Sequence, residues 1–315
     1  MEDNSNTKTS SVDLSVQLGR LALPNPVMVA SGTFGYAKEI AGLLDLKRLG
    51  GIIPKTITRE PRAGNPPPRT VETPAGLLNS IGLDNDGLDA FLVEKLPYLR
   101  DVGCPIIVSI AGQNIEDFVE MAAQLDQADG VDGLELNLSC PNVSHGVNFS
   151  TDPAACEKVV ASVRNACSLP LLAKLTPNVA DVPIVAKGAE AGGADAVSLI
   201  NTCLGMAIDW RNRRPRLGNN MGGLSGPAIK PIAVRIVWQV AQAIQIPIVG
   251  IGGIETVDDA MEFFVAGASA IQVGTANFYR PTASTDILDG LPEAVASLGV
   301  DRLEEIVNTL TLNKT

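Results

Sequence analysis

The stretch GLELNLSCPNVSHG, Gly133 to Gly146, decides how the rest of the chain is read. Side chains alternate across a strand. Leu134, Leu136 and Leu138 therefore share one face, and Glu135, Asn137 and Ser139 share the other. A strand with leucines on one side and polar groups on the other, ending at Cys140-Pro141, suits a closed barrel. The leucines meet an outer ring of helices, and the polar side chains point inward toward the mouth.

Seven further apolar runs of strand length support that reading: 26–32, 50–56, 105–112, 170–177, 196–202, 247–253 and 270–276. Helical patterns lie between most of them, such as NIEDFVEMAAQLDQA and TVDDAMEFFVAGA. Eight β/α units in succession predict one α/β domain, a single (β/α)8 TIM barrel over residues 13–315. Residues 1–12 read as a polar, disordered leader with no apolar segment of the signal-peptide type. Two insertions, 57–83 and 203–226, follow the second and sixth strands. Both are expected on the C-terminal face, where such barrels keep their chemistry.

Composition narrows the function. The chain has 315 residues, 45% of them hydrophobic, and a net charge of −11, which argues against nucleic acid as a partner. No apolar run approaches the ~20 residues of a membrane span, and a cytoplasmic location is expected. Five separated cysteines without a CxxC pair support neither a zinc site nor an iron–sulfur cluster.

The same alternation pairs Ile53 with Lys55, Leu172 with Lys174 and Leu199 with Asn201. Lys55, Asn137, Lys174 and Asn201 are thus expected to converge at the mouth. Two ammonium groups and two amides there suit a planar, anionic or carbonyl-rich ligand. Gly252, Gly253, Gly274 and Thr275 follow the last two strands, where barrels commonly hold phosphate on backbone N–H groups. Gly250 and Gly252 begin a partial dinucleotide fingerprint, but Glu255 takes the third glycine's place and excludes it. Cys140 opens a loop that could close as a lid and carry a thiol base, with His145 five residues on. Arg211, Arg213, Arg214 and Arg216 read as a solvated part of the second insertion.

The motifs ASGTFG, PKTIT, NSIGLDN, LNLSCPNVSHG, INTCLGMAIDW, GGLSGPAIKP, GIGGI and QVGTANF span most of the chain. Through them it closely resembles the FMN-binding catalytic subunit of class 1B, NAD-linked dihydroorotate dehydrogenases. The resemblance implies a flavoprotein oxidising dihydroorotate to orotate in pyrimidine (UMP) biosynthesis. It implies FMN on Ser31, Lys55, Thr56, Asn137, Lys174, Ile200, Gly226, Gly252, Gly253, Gly274 and Thr275. It further implies substrate contacts on Lys55, Asn79, Ser80, Ile81, Gly82, Leu83, Asn137, Asn201 and Thr202, with Cys140 as the base. That thiol would remove the C5 proton while hydride leaves C6 for flavin N5. The resemblance further implies a homodimer of this chain, and a two-plus-two complex with an electron-transfer subunit carrying FAD and [2Fe–2S]. Ser109 departs from the family pattern, which usually has an asparagine there in contact with FMN. The alternatives are a class 1A, fumarate-linked enzyme and a non-redox phosphate-binding barrel lyase or isomerase.

Overall fold

The computed structural model describes residues 12–139 and 149–313. The expected leader and the Cys140–Gly146 loop therefore fall outside the described residues, apart from Val12. The eight barrel strands are β1 (Val27–Val29), β2 (Gly51–Ile52), β3 (Ile107–Ile110), β4 (Gly133–Asn137), β5 (Leu171–Lys174), β6 (Ala196–Leu199), β7 (Ile248–Ile251) and β8 (Ala270–Val273). All neighbours pair in parallel, in the ring order β2-β1-β8-β7-β6-β5-β4-β3. Parallel bridges Ile52↔Ile106 and Ile57↔Ile110 join β2 to β3 and close the barrel.

Local chemistry sets the helix ends. Asn114 caps Ile115–Asp126 and Asp181 caps Val182–Ala191. Asp152 caps Pro153–Ala166, where a proline in the first turn costs no hydrogen bond. Thr256 and Asp259 form a reciprocal capping box on Val257–Ala266. The first β/α unit lacks its helix and has only a 3-10 turn, Leu46–Arg48. In the second, the helix Gly87–Ala90 widens to a π-turn at Phe91–Lys95 and resumes as Leu96–Arg100. Pro97 has no N–H to give to the carbonyl four residues back, so regular α-geometry fails there.

Among the described residues two apolar cores build the barrel, and a small third cluster, Val71, Leu78 and Leu217, lies in the insertions. The outer one packs Leu134, Leu136 and Leu138 of the β4 segment with helix residues such as Phe118, Met121 and Val159. The inner one fills the barrel with Met28, Ile53, Ile107, Leu172, Val249 and Ile251. It is closed below by Leu18, Leu21 and Leu23 from an antiparallel hairpin, Val16–Leu18 with Leu21–Leu23. The inward-facing assignments of Ile53 and Leu172 hold.

The two insertions meet. Thr70–Thr73 and Gly76–Asn79 from the first, with Cys203–Gly205 and Gly222–Ser225 from the second, make one four-stranded antiparallel sheet. Strands β2 and β6 stand opposite each other in the ring, so this shared sheet bridges the C-terminal mouth.

Candidate active site

Lys174 sits at the end of β5, opposite Asn137 of β4 in the strand register. Its side chain is almost fully buried, and Nζ donates to Glu135 Oε1 at 3.3 Å and to Ser31 Oγ at 3.4 Å. An ammonium has three N–H groups, so one remains to address a ligand. Asn201 Nδ2 donates to Asn137 Oδ1 at 3.3 Å, and Asn201 Oδ1 accepts the Thr202 N–H at 2.8 Å. Those two bonds fix which way both amides face. Lys55 follows Ile53 on the inner side and is half-buried, with no ion pair or hydrogen bond to its ammonium among the described residues. Its backbone N–H is tied to the Gly35 carbonyl at 3.0 Å.

One expectation needs correction. Simple alternation puts Leu199 and Asn201 on the same face, yet Leu199 packs in the outer core while Asn201 turns to Asn137. The regular strand stops at Leu199, so the two-residue period no longer applies beyond it. Ser198, not Leu199, is the β6 residue facing inward beside Lys174, its partner in the register. Ile200 is buried in the outer core, so a ligand would meet its backbone and not its side chain.

The loops after β6, β7 and β8 form a close-packed cup. Gly226 and Gly253 have φ of 90° and 72°, and Gly252 has φ of 133°, conformations that favour glycine. A Cβ on Gly253 would lie 2.8 Å from the Gly226 carbonyl oxygen. Thr275 Oγ1 donates to Ser225 Oγ at 2.8 Å and fastens the third loop to the second insertion. Gly274 is partly exposed, with nothing closer to its hypothetical Cβ than Ala30 at 3.5 Å.

The segment Asn79–Leu83 runs from the shared sheet. Asn79 Nδ2 reaches the Gly223 carbonyl at 3.4 Å. Gly223 in turn lies so near Thr202 that a Cβ there would meet Oγ1 at 1.9 Å. Gly82 and Leu83 both have positive φ. Sequence reasoning missed the brace of this segment, Asn85. Its Nδ2 donates to the Leu83 carbonyl at 2.7 Å and to Thr58 Oγ1 at 2.8 Å. It also missed Asn178, which donates to the Thr202 carbonyl at 3.0 Å and accepts the Leu204 N–H at 2.8 Å. Asn178 stands four residues past the end of β5 and Asn85 closes the motif NSIGLDN, and those positions are the signal that could have found them. Thr56 and Ser109 satisfy each other, oxygen to oxygen at 2.8 Å, deep in the wall.

The residues present fit FMN. Lys174 keeps a donor for the ring system, the glycine cup admits phosphate oxygens close to the backbone, and Ser139 and Ser80 hold buried hydroxyls without a partner among the described residues. Cys140 and His145 lie outside the described residues. Among the described cysteines, burial pushes Cys104 and Cys156 up to about 12 and Cys167 up to about 11, and raises Cys203. None is poised as a base.

Residues 13–295 match the family model described as Dihydroorotate dehydrogenase. The chain belongs to the dihydroorotate dehydrogenase family. Dihydroorotate dehydrogenase B (NAD(+)), catalytic subunit, of Geotalea daltonii is 54% identical over 301 residues, which is 95% of this chain and 99% of that one. The protein of the same description from Desulforamulus reducens is 49% identical over 96% of this chain and 99% of its own length. A crystal structure of DHODH from Eimeria tenella, in complex with ferulenol, superposes with a TM-score of 0.78 at 23% identity. It covers 94% of this chain and 88% of that one, and supports the barrel fold. No helix among the described residues is long and apolar enough to cross a membrane.

Proposed function

We propose that this dihydroorotate dehydrogenase family member oxidises (S)-dihydroorotate to orotate in the de novo synthesis of UMP, as the catalytic subunit of an NAD-linked enzyme. The observation that carries the reading is the barrel mouth. An anchored ammonium with a spare donor stands beside an oriented pair of asparagine amides, next to a glycine cup. FMN, when bound, supplies the two-electron acceptor for the hydrogen leaving C6.

The chain's own residues do the rest. Ser31, Lys55, Thr56, Asn137, Lys174 and Ile200 would hold the flavin ring and its side chain, and Gly226, Gly252, Gly253, Gly274 and Thr275 its phosphate. Asn137 and Asn201, with Thr202 and the Asn79, Ser80, Ile81, Gly82, Leu83 segment, would grip the pyrimidine edge. Lys55 would complement the substrate's negative charge. Cys140 is assigned the C5 proton, which the adjacent carbonyl acidifies. Orientation of this kind converts an encounter into a near-unimolecular step.

The words "NAD(+)" and "catalytic subunit" in the relatives' names support a partner that carries electrons on to NAD+; FAD and [2Fe–2S] on that partner are part of the proposal. The described residues hold no cluster of metal-ligating side chains. Leu204, Met206, Ile208, Trp210 and Met221, all exposed, make an apolar strip on the second insertion that supports pairing of two copies.

The test is an anaerobic spectrum of the purified chain before and after dihydroorotate. Flavin absorbance that bleaches is the expected result. Cys140→Ala is expected to slow bleaching by several orders of magnitude near neutral pH while flavin stays bound, and Cys140→Ser to retain weak activity that rises with pH. Bleaching by Cys140→Ala at the wild-type rate would exclude the thiol as base. Rapid turnover of the single chain with fumarate would reassign it to the 1A class, and a colourless protein would return it to non-redox barrels.

A further inference from the structure

Among the described residues, the barrel interior holds one charged group that the proposed reaction does not use. Glu135, on the inner face of β4, is completely buried. Its two oxygens are taken by donors from two different strands. Oε1 accepts from Lys174 Nζ at 3.3 Å, and Oε2 accepts from Gln272 Nε2 of β8 at 2.6 Å. Strands β4 and β8 stand opposite each other in the ring, so the contact crosses the interior.

Stability alone does not account for this arrangement. The layer below is filled by Ile53, Ile107, Leu172 and Val249, and apolar residues can replace a buried ion pair at little cost or with a gain. Two other polar atoms inside the barrel, Ser198 Oγ and Gln272 Oε1, are buried with no partner among the described residues, which adds a further cost. The carboxylate's effect reaches the mouth through Lys174. One hydrogen bond on from Glu135, that ammonium is the charge presented to whatever lies above it.

We propose that Glu135 is a positioning residue acting through Lys174: it fixes the direction of the ammonium and offsets part of its charge, and so lowers the reduction potential of the flavin bound over the barrel mouth. The inference rests on the FMN reading above. Reduction adds negative charge to the flavin, which a bare ammonium beneath it would favour. A carboxylate directly behind that ammonium opposes the gain, and in a water-poor interior such charges act on one another far more strongly than in solvent.

The experiment measures the two-electron midpoint potential of the flavin-loaded protein by equilibration with reference dyes. It compares wild type, Glu135→Gln and Glu135→Asp. Glutamine keeps the shape and removes the charge. The expected result is a shift of at least tenfold in the reduction equilibrium, a potential about 30 mV more positive. Aspartate keeps the charge one methylene further back, and the expected shift is smaller. A flavin-loaded Glu135→Gln protein at the wild-type potential overturns the inference, as do equal shifts in the two variants, which would mark a packing role. Should Glu135→Gln fail to accumulate, Gln272→Leu tests the same anchor from the far side. It removes one donor from the carboxylate, and the potential is expected to fall; an unchanged value overturns the inference. Wild-type protein that binds no flavin overturns the FMN reading and this inference with it, whereas a failure confined to the variants leaves that reading standing.

Discussion

Asp195→Asn offers a measure of what holds the lower end of the barrel. Asp195 precedes β6 and is 8% exposed. Its carboxylate accepts from Arg20 Nε at 2.8 Å, Arg20 Nη2 at 2.7 Å, the Arg20 N–H at 3.1 Å, the Leu171 N–H at 2.8 Å and Arg164 Nη1 at 3.4 Å. Arg20 lies in the turn of the hairpin that closes the barrel, so this cluster joins that hairpin to β5 and β6. An asparagine amide can keep one acceptor but turns an N–H₂ toward donors. Leaving the buried Leu171 N–H without a partner costs about 1–3 kcal/mol. The lost guanidinium contacts add about 1 kcal/mol, because Arg20 is half exposed and solvent screens it. A loss of roughly 3 kcal/mol at pH 7 follows, which for a domain of this size lowers Tm by several degrees, on the order of 6 °C.

The loss should also depend on pH. Burial alone would raise Asp195, but the bonds from Arg20 and the Leu171 N–H outweigh it and hold the carboxyl below its ordinary value. A depressed native pKa contributes stability that is present above the unfolded value, near ~3.9, and is lost as pH falls through the native one. Urea unfolding of wild type and variant should therefore give curves well separated at pH 7 that converge below about pH 4. Flavin content should not change, because the cluster lies at the opposite end from the mouth. A loss under about 1 kcal/mol at pH 7, or one that stays constant down to pH 3, would refute the reasoning.

Two further outcomes are expected. Gly253→Ala forces a side chain into a φ of 72° and against the Gly226 carbonyl, and flavin retention on dilution should fall at least tenfold, equivalent to about 1.4 kcal/mol. Cys156, pushed up to about 12, and Cys167, pushed up to about 11, are both buried and should resist a disulfide reagent at pH 8 and react only on unfolding, so prompt labelling of either in the native protein would contradict their burial.

Much of the barrel was legible because buried parallel strands leave apolar runs of strand length, and each of the eight contains a strand of the ring. The inner and outer faces could be read from alternation wherever the strand stayed regular, as at Ile53, Leu172 and Leu134. It failed at Leu199, where regularity ends one residue before the site begins. The sheet shared by the insertions was invisible, since pairing of Leu78 with Leu224 has no local signature across so long a separation. Glu135 was visible as an inward carboxylate, but its meeting with Gln272 depends on barrel closure and not on either residue's neighbours. The missing helix after β1 shows the same limit from the other side, because a helical expectation there rested on rhythm alone.

The hairpin carrying Leu18, Leu21 and Leu23 makes the barrel a vessel stoppered at its base. Everything the chemistry consumes or releases must then cross one rim, already narrowed by the sheet laid over it. On the proposed reading, oxidant and pyrimidine would share that opening, so whatever drains the electrons would have to approach the same rim while leaving room for the next substrate to enter.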